Sequence, residues 1–593
     1  MHPPRVVPRS LVVALAVTTV PVALAPAVSV LISVLGVHVT AAVATGILAV
    51  SLLGGISLGL RLHRELPSPP TGVSERRTAW ALLPVTLVAS AVLALTWSRP
   101  VLDWDGLYYH VPAIQGWFHA GGVHWIENST DVPFVNGYPM AMEVLGYLGV
   151  LIFGHDRWLD AWNVVLWPTA VAGLALTARL WGARSLWPAV AGASFLLVPA
   201  WMLGSTIAYV DAGFAAAMAA FVAATVWRLQ RNDHLASALL WGAAGGLAAA
   251  AKGTGLVLAV FGGGLLLVDL ALRPARQRKS AVRALVLGVA VLVAIGGVWP
   301  ARSLVHSGNP IHPVELKIGA KVVGEGVDAH VTANHSMPER LRDLPAPMRP
   351  VAVWARPFMP VDRYDQAEGL GPLWTLGALP GLLFVLWTGR RRLDIVGPIA
   401  LVALGLAAQP GPWWARLSLW ITAVGLPAFA VLASHLTNRR LPRPRRLAGA
   451  VAVGFVLLSA GWITGGSLLR EQRRPHAADA FTQYFSELVA HPAWSEFLDA
   501  PRVARTSWGR FGTLMGGALA SPIGARELVH VQEPQDVPSD VDWWIWDLGA
   551  TEASPEDLAS WEIVDRPRSG FVLLHRIEDS HGGSPGDGFT ATR

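Results

Sequence analysis

A chain of 593 residues that is 53% hydrophobic and only 15% charged, with a mean hydropathy of +0.44, lies far from soluble proteins, in which about a quarter of residues are charged. It reads as a polytopic α-helical membrane protein. The absence of cysteine excludes a disulfide framework and a thiolate metal site, so any chemistry falls to carboxylate, imidazole, amine or guanidinium groups. The formal net charge of +6 carries no nucleic-acid signal, because basic residues flanking membrane segments produce such an excess without an anionic partner.

Arg5 and Arg9 precede an apolar run over residues 11–35, longer than a secretory h-region, and a second run ends near residue 60. Two spans and no cleaved signal follow, and with the next loop they form an N-terminal hairpin unit over 1–78. That loop carries Arg61, Arg64, Arg76 and Arg77, and the excess of arginine places it in the cytoplasm. A third span over 79–97 then leads outward into a loop over 98–140 that is rich in Trp, His, Gly and Pro. Pro112 suits the first turn of a helix, which predicts a short interfacial helix over 111–119. The apolar segment 140–153 is short for a crossing and reads as interfacial or re-entrant.

Spans near 158–178, 186–204, 207–227, 236–251, 254–271 and 283–300 place the basic loops 179–184, 228–234 and 273–283 inside. After an outer loop over 301–370, spans near 371–388, 394–409, 416–435 and 447–466 do the same for 390–392 and 439–446. The total is about thirteen spans, with the N-terminus inside and the C-terminus outside. The polar remainder predicts a small extracytoplasmic α/β domain over 467–578, with strands at 527–532, 543–548 and 571–577 and helical stretches at 477–488 and 555–561. A Gly, Ser and Asp rich tail over 579–593 has the composition of disorder. No period of 20 to 50 residues repeats along the chain.

This topology gathers the unusual polar residues on one side. Asp103, Asp105 and His110 lie in the first outer loop, Asp211 at the start of a span and Lys252 in an outer turn. Arg302, His306, Asn309, His312 and Glu315 follow Trp299 and Pro300, and Arg416 follows Trp413 and Trp414. Ionisable groups beside a bilayer are costly unless solvated, paired or used. Acids mixed with cations are what transfer from an anionic lipid-linked donor needs. Cations neutralise a phosphate leaving group, while a carboxylate takes the proton of an attacking hydroxyl. Plainer readings stand beside this one. Asp103 and Asp105 also fit a loop that ends a span, Asp211 fits the preference of helix N-termini for acids, and a lone Lys or Arg at a helix end fits a snorkelling anchor. Lys252 does better than an anchor, because it interrupts an Ala and Gly rich region opposite the basic loops. His119, His124, His330 and His335 read as solvated loop residues. No His-Glu-x-x-His pair is present, and a divalent metal shared by Asp103 and Asp105 stays open.

The run Trp104-Asp105-Gly106-Leu107-Tyr108-Tyr109-His110-Val111-Pro112 resembles the acidic motif of the GT-C superfamily, integral-membrane glycosyltransferases that use polyprenyl-phosphate sugars. It is similar to bacterial members with a Trp-Asp-x-x-x-Tyr-His-x-Pro pattern. The stretch from Trp299 through Arg302, His306, Gly308, Asn309 and Pro310 to His312 and Pro313 resembles the family's Arg-Asn followed by Gly-Asn-Pro-x-Tyr-Pro. Tyr209-Val210-Asp211 and the approach to Lys252-Gly253-Thr254-Gly255 are similar as well. The resemblance covers residues 80–435, within a catalytic membrane core assigned to 79–466. It implies Asp105 as general base or organiser of donor and metal. Gly106 stands where many relatives have a second acid, which leaves Asp103 to support Asp105; Ser303 replaces Asn, and His312 replaces Tyr. The resemblance further implies Arg302 and Lys252 on the donor phosphate, with Tyr109, His110, Asn309 and His312 shaping the site.

The resulting expectation is a plasma-membrane glycosyltransferase of cell-envelope glycan or glycoconjugate synthesis. It would move a hexosyl or pentosyl group from a polyprenyl-phosphate sugar to a hydroxyl of a glycan, lipid or protein acceptor on the extracytoplasmic face. A transporter or flippase for a lipid-linked or anionic substrate is the alternative, disfavoured by the absence of paired broken helices with charges at the bilayer midplane. A scaffold in envelope assembly is a third reading.

Overall fold

A computed structural model describes residues 9–66, 75–97, 101, 103, 105–126, 134–230, 235–319, 321–327, 337–359, 369–473, 492–505, 527–531, 536–547, 558–565 and 571–577. The chain folds as a polytopic α-helical membrane protein with a small C-terminal sheet. Its innermost helix, Asp211–Leu229, is rich in alanine, and every one of its residues is buried. A helix that is apolar on all sides must be surrounded by other helices or by lipid, and small side chains let neighbours approach closely. Gly173 in Trp167–Trp181 shows the approach, since a Cβ there would sit 2.6 Å from the Ala219 carbonyl. The N-terminal helices Arg9–Val34 and Ala41–Glu65 pack in the same manner. Gly55 and Gly59, four apart, lie against Pro21 and Val17.

Among the described residues eight helices are long and apolar enough to cross a membrane: Arg9–Val34, Ala41–Glu65, Leu159–Trp181, Asp211–Leu229, Gly253–Ala271, Ala275–Gly296, Ala415–Leu436 and Arg443–Arg470. Six shorter apolar helices accompany them, and the expectation of thirteen spans counts both kinds. One expected span, 186–204, is interrupted. It resolves into Trp187–Ala193, a 3-10 turn over Ser194–Leu197, and Pro199–Gly204, because Val198 is extended ahead of a proline that lacks an N–H. The segment read as interfacial or re-entrant is the helix Ala141–Phe153. Its residues through Val150 are buried against the two N-terminal helices and against Val111–Ala120. Val111–Ala120 itself matches its predicted bounds within one residue, with Pro112 in its first turn and Gly121 closing it at φ 70°.

The two ends of Asp211–Leu229 carry different chemistry. Beyond its C-terminal end, Gln230 donates to Asp394 (2.8 Å) and to the Leu180 carbonyl (3.2 Å), and Arg392 pairs with Asp394. The termini that the arginine-rich loops join are thereby tied together at one end of the bundle. Asp211 stands at the other end, about 28 Å away at roughly 1.5 Å per residue, a separation close to the thickness of a bilayer's hydrocarbon core.

The C-terminal sheet uses five strands: β3 (Arg502–Arg505), β4 (Glu527–His530), β5 (Trp543–Asp547), β6 (Trp561–Asp565) and β7 (Phe571–Arg576). The order is β4-β3-β5-β7-β6, with β3 parallel to β4 and β5, and β7 antiparallel to both of its neighbours. A further hairpin joins β1 (Leu316–Ile318) and β2 (Lys321–Gly324) in the long loop after Ser307. Three of the five sheet strands were predicted. The others, β3 and β6, lack the alternation that marks a half-buried strand: β3 is four residues closed by arginines, and Trp561 begins a strand where the pattern suggested the end of a helix. The predicted helix at 477–488 and the tail lie outside the described residues.

Candidate active site

Asp103 opens the first outer turn. Its Oδ1 accepts from the Gly106 N–H (2.8 Å), and its carbonyl accepts from Leu107, the pattern of a helix N-cap. Oδ2 reaches across to the Ala208 N–H (3.1 Å), and the residue is 1% exposed. Asp103 therefore ties the turn Gly106–His110 to the loop that leads into Asp211, and both of its oxygens receive backbone donors.

Asp105, two residues on, faces charge. Its Oδ2 accepts from Nη1 of Arg416 at 2.8 Å, and its backbone N–H approaches the Tyr209 hydroxyl at 3.4 Å. Nε of Arg416 lies 3.5 Å from Oδ2 of Asp211, whose Oδ1 accepts from Nζ of Lys252. The result is an alternating row, Asp105, Arg416, Asp211, Lys252, drawn from four separate parts of the sequence. Alternation satisfies each charge with its opposite, which is the condition for placing four ionised groups near a membrane core.

Local structure explains each position. Lys252 is a single extended residue between the helices Leu235–Ala251 and Gly253–Ala271. The turn is so tight that a Cβ on Gly255 would fall 1.8 Å from the Ala248 carbonyl oxygen. Asp211 begins its helix under the control of Asn163. The Asn163 amide accepts from Gly213 (2.8 Å) and donates to the carbonyls of Tyr209 (2.7 Å) and Gly204 (3.1 Å). Arg416 enters from the first turn of Ala415–Leu436, its guanidinium lying 4.4 Å over the Tyr209 ring and 5.0 Å over Trp414.

Aromatic rings wall the acidic turn. Tyr109 packs on His110 at 4.1 Å and on Tyr138 at 5.8 Å. Burial, reinforced by the negative charge of Asp105, raises the pKa of the Tyr109, Tyr138 and Tyr209 phenols above the ordinary tyrosine value, so all three keep their protons at neutral pH. His110 lies 6.5 Å from the Tyr209 ring, and its buried Nε2 has no hydrogen-bond partner among the described residues. Its Nδ1 pairs with Oε1 of Glu143 at 2.7 Å, and both side chains are 1% exposed.

Arg302 occupies a neighbouring position. Nη2 donates to the His124 carbonyl (2.7 Å) and to Asn136 (3.2 Å), two residues before Tyr138, and the guanidinium lies 5.2 Å from the Trp125 ring and 5.5 Å from Trp299. Its Nε and Nη1 are buried with no hydrogen-bond partner among the described residues. Burial pushes its pKa down to about 10, so it remains a cation at neutral pH. His312 lies 6.2 Å from the Trp125 ring, which also stacks on His306 at 4.6 Å. Asn309 is wholly buried. Its Nδ2 donates to the carbonyls of Val314 (2.8 Å) and Glu325 (2.9 Å), and its Oδ1 accepts from Ile311 (3.0 Å), so its amide holds the loop together.

The candidates thus divide. Asp105 and Lys252 belong to one charged row, with Tyr109 beside it. Arg302 and His312 stand together across Trp125. Asp103 and Asn309 have their polar atoms directed to the protein itself, and His110 directs Nδ1 to Glu143 while its Nε2 has no partner among the described residues. Arg416 and Tyr209 are integral to the row; the sequence marks Arg416 as one of the outer cations and Tyr209 as part of a family-like stretch without a specific role for either, and Glu143, Asn163 and Tyr138 were missed. The signal for Arg416 was present, since it follows Trp413 and Trp414 at an outer helix start. Nothing local marked Asn163 or Glu143. Among the described residues no three His, Asp or Glu side chains gather as a metal-binding group. Asp103 receives two backbone donors and Asp105 a guanidinium, an arrangement that does not suit a cation shared by these two carboxylates.

The architecture is shared with solved membrane proteins. The chain has the GT-C fold, in agreement with the resemblance carried by its acidic motif. Crystal structures of ArnT from Cupriavidus metallidurans, bound to undecaprenyl phosphate and in the apo state, align with TM-scores of 0.52 and 0.51. Sequence identities are 16% and 15%, and each alignment covers 86% of this chain and 100% of ArnT. No family model and no curated protein sequence matches the chain.

Proposed function

We propose that this protein is a membrane glycosyltransferase that moves a sugar from a polyprenyl-phosphate donor to an acceptor hydroxyl on the extracytoplasmic face, in cell-envelope glycan or glycoconjugate synthesis. The observation that carries the proposal is the row of Asp105, Arg416, Asp211 and Lys252 at one end of a GT-C fold, opposite the ends joined by arginine-rich loops. Undecaprenyl phosphate, the ligand in one ArnT structure, is a polyprenyl phosphate of the kind such a donor would release.

Asp105 takes the proton of the acceptor hydroxyl as its oxygen bonds to the anomeric carbon and the bond from that carbon to the phosphate oxygen breaks. The electron pair of the broken bond leaves with the polyprenyl phosphate. Lys252 and Arg302 are the cations assigned to that phosphate. Nε and Nη1 of Arg302, which have no hydrogen-bond partner among the described residues, leave donors for phosphate oxygens, which supports the assignment. Arg416 orients the Asp105 carboxylate, while Tyr109 and Tyr138 supply neutral hydroxyls at the wall.

Purified protein in liposomes, given a polyprenyl-phosphate sugar labelled in the sugar together with envelope acceptors, tests the reading. Movement of label from lipid to acceptor supports it. Label that stays on the lipid but crosses the bilayer without any acceptor supports transport instead and overturns it.

A further inference from the structure

The long loop before the helix Leu373–Gly389 contains an amphipathic segment that the transfer reaction does not use. In the helix Met348–Trp354, Pro350 and Val353 point inward, while Met348 and Val351 are 51% and 47% exposed. Ala355 continues the exposed side, and Phe358 and Met359 follow it, 50% and 41% exposed. Four large apolar side chains thus lie open along one short stretch. The same stretch, residues 337–359, holds Arg340, Arg342, Arg349 and Arg356 against only Glu339 and Asp343, and Arg342 and Arg356 are exposed.

Two contacts fix its level relative to the membrane. The Thr375 hydroxyl donates to the Trp354 carbonyl at 2.6 Å, and the Trp354 and Trp374 rings meet edge to face at 5.5 Å. Both partners lie in the first turns of the apolar helix Leu373–Gly389, so the segment sits where that helix leaves the hydrocarbon. Tryptophan belongs at that depth. The inner face packs Met337, Leu341 and Val353 around Trp413. Trp413 stacks on Trp414, the ring beneath Arg416.

We propose that residues 337–359 form a platform seated on the bilayer surface at the Asp105 end of the protein, and that anionic phospholipid is its partner. Met348, Val351, Phe358 and Met359 enter the boundary between headgroups and acyl chains, and Arg342 and Arg356 meet lipid phosphates. Exposed apolar residues interleaved with arginine at the end of a span match that layer in both polarity and charge. The inference stands whether or not the protein transfers sugar. If the transferase reading is right, lipid composition acts on the site through Trp413, Trp414 and Arg416.

The chain has no cysteine, so single-cysteine variants Val351→Cys and Phe358→Cys of the full protein can carry a spin label without a background. Accessibility to oxygen, which partitions into lipid, and to a water-soluble nickel complex is measured in phosphatidylcholine liposomes with and without phosphatidylglycerol. The expected result is an oxygen-to-nickel ratio several-fold above that of a water-exposed label, rising further with phosphatidylglycerol. Adding Arg342→Gln and Arg356→Gln removes the further rise while the ratio in neutral lipid persists. Labels that read as aqueous in both membranes overturn the proposal. So do labels shielded from both reagents, which mark a protein contact, and so does a phosphatidylglycerol response that survives the arginine substitutions.

Discussion

Asp103 and Asp105 are two residues apart and chemically unlike, a difference that arises from their partners. Asp103 accepts two backbone N–H groups and is closed to solvent, whereas Asp105 meets a guanidinium and retains side-chain exposure of 20%. Asp103→Ala removes a cap and leaves Gly106 and Ala208 without their acceptor, so it should lower stability by about 1–3 kcal/mol. Asp103→Asn keeps a side-chain acceptor and should retain transfer within about tenfold of the parent. Thermal melting in detergent beside initial transfer rates separates the two effects. An Asp103→Asn protein that melts normally yet transfers nothing would show that the carboxylate takes part in the chemistry. Arg416→Lys probes the row itself. An ammonium can pair with Asp105 but cannot also lie flat on Tyr209 and face Asp211, so transfer should fall by about tenfold to a hundredfold with little change in melting temperature. Parental rates in Arg416→Lys would reduce Arg416 to a source of charge.

At the scale of elements, what was legible followed from composition and periodicity. The helix Val111–Ala120 was marked by Pro112 and closed by Gly121, and the long spans by continuous apolar runs. The break at Val198 and the burial of Ala141–Phe153 depend on what packs alongside, and that information is not local. The turn holding Lys252 is set by backbone proximity. Gly255→Ala must force the Ala248 carbonyl aside, displacing the turn at a cost of about 1–3 kcal/mol, read as a lowered melting temperature together with reduced transfer. An unchanged protein would mean that the turn is looser than its geometry indicates. The loop built by Asn309 carries a pH dependence. Burial holds the His312 imidazole below its ordinary pKa of 6.5, so the unfolded chain binds a proton there more readily than the folded one. Its contribution is complete above 6.5 and is lost as pH falls through that value toward the folded pKa. Melting temperatures measured from pH 7.5 to 5.5 should drop less steeply in His312→Asn than in the parent, and parallel profiles would remove His312 as the cause.

For the molecule as a whole, sidedness was the most productive sequence inference. Assigning the arginine-rich loops to one compartment put Asp105, Asp211, Lys252 and Arg416 in the other, and these four residues, spread over more than 300 positions, meet in one row. Pairings within the row could not be read from the chain, because each joins segments whose only relation is three-dimensional packing. The same limit applied to Asp103 and Asn309, whose residue types suit a site and whose bonds serve the scaffold. The GT-C fold supplies the frame, and in the proposed function the charged row supplies the chemistry.

The most direct test is transfer from a labelled polyprenyl-phosphate sugar by Asp105→Asn, compared with the parent in the same liposomes after both proteins are shown to melt alike. Loss of the general base should lower the rate by about a hundredfold to ten-thousandfold. Transfer at the parental rate by the folded variant would contradict the account.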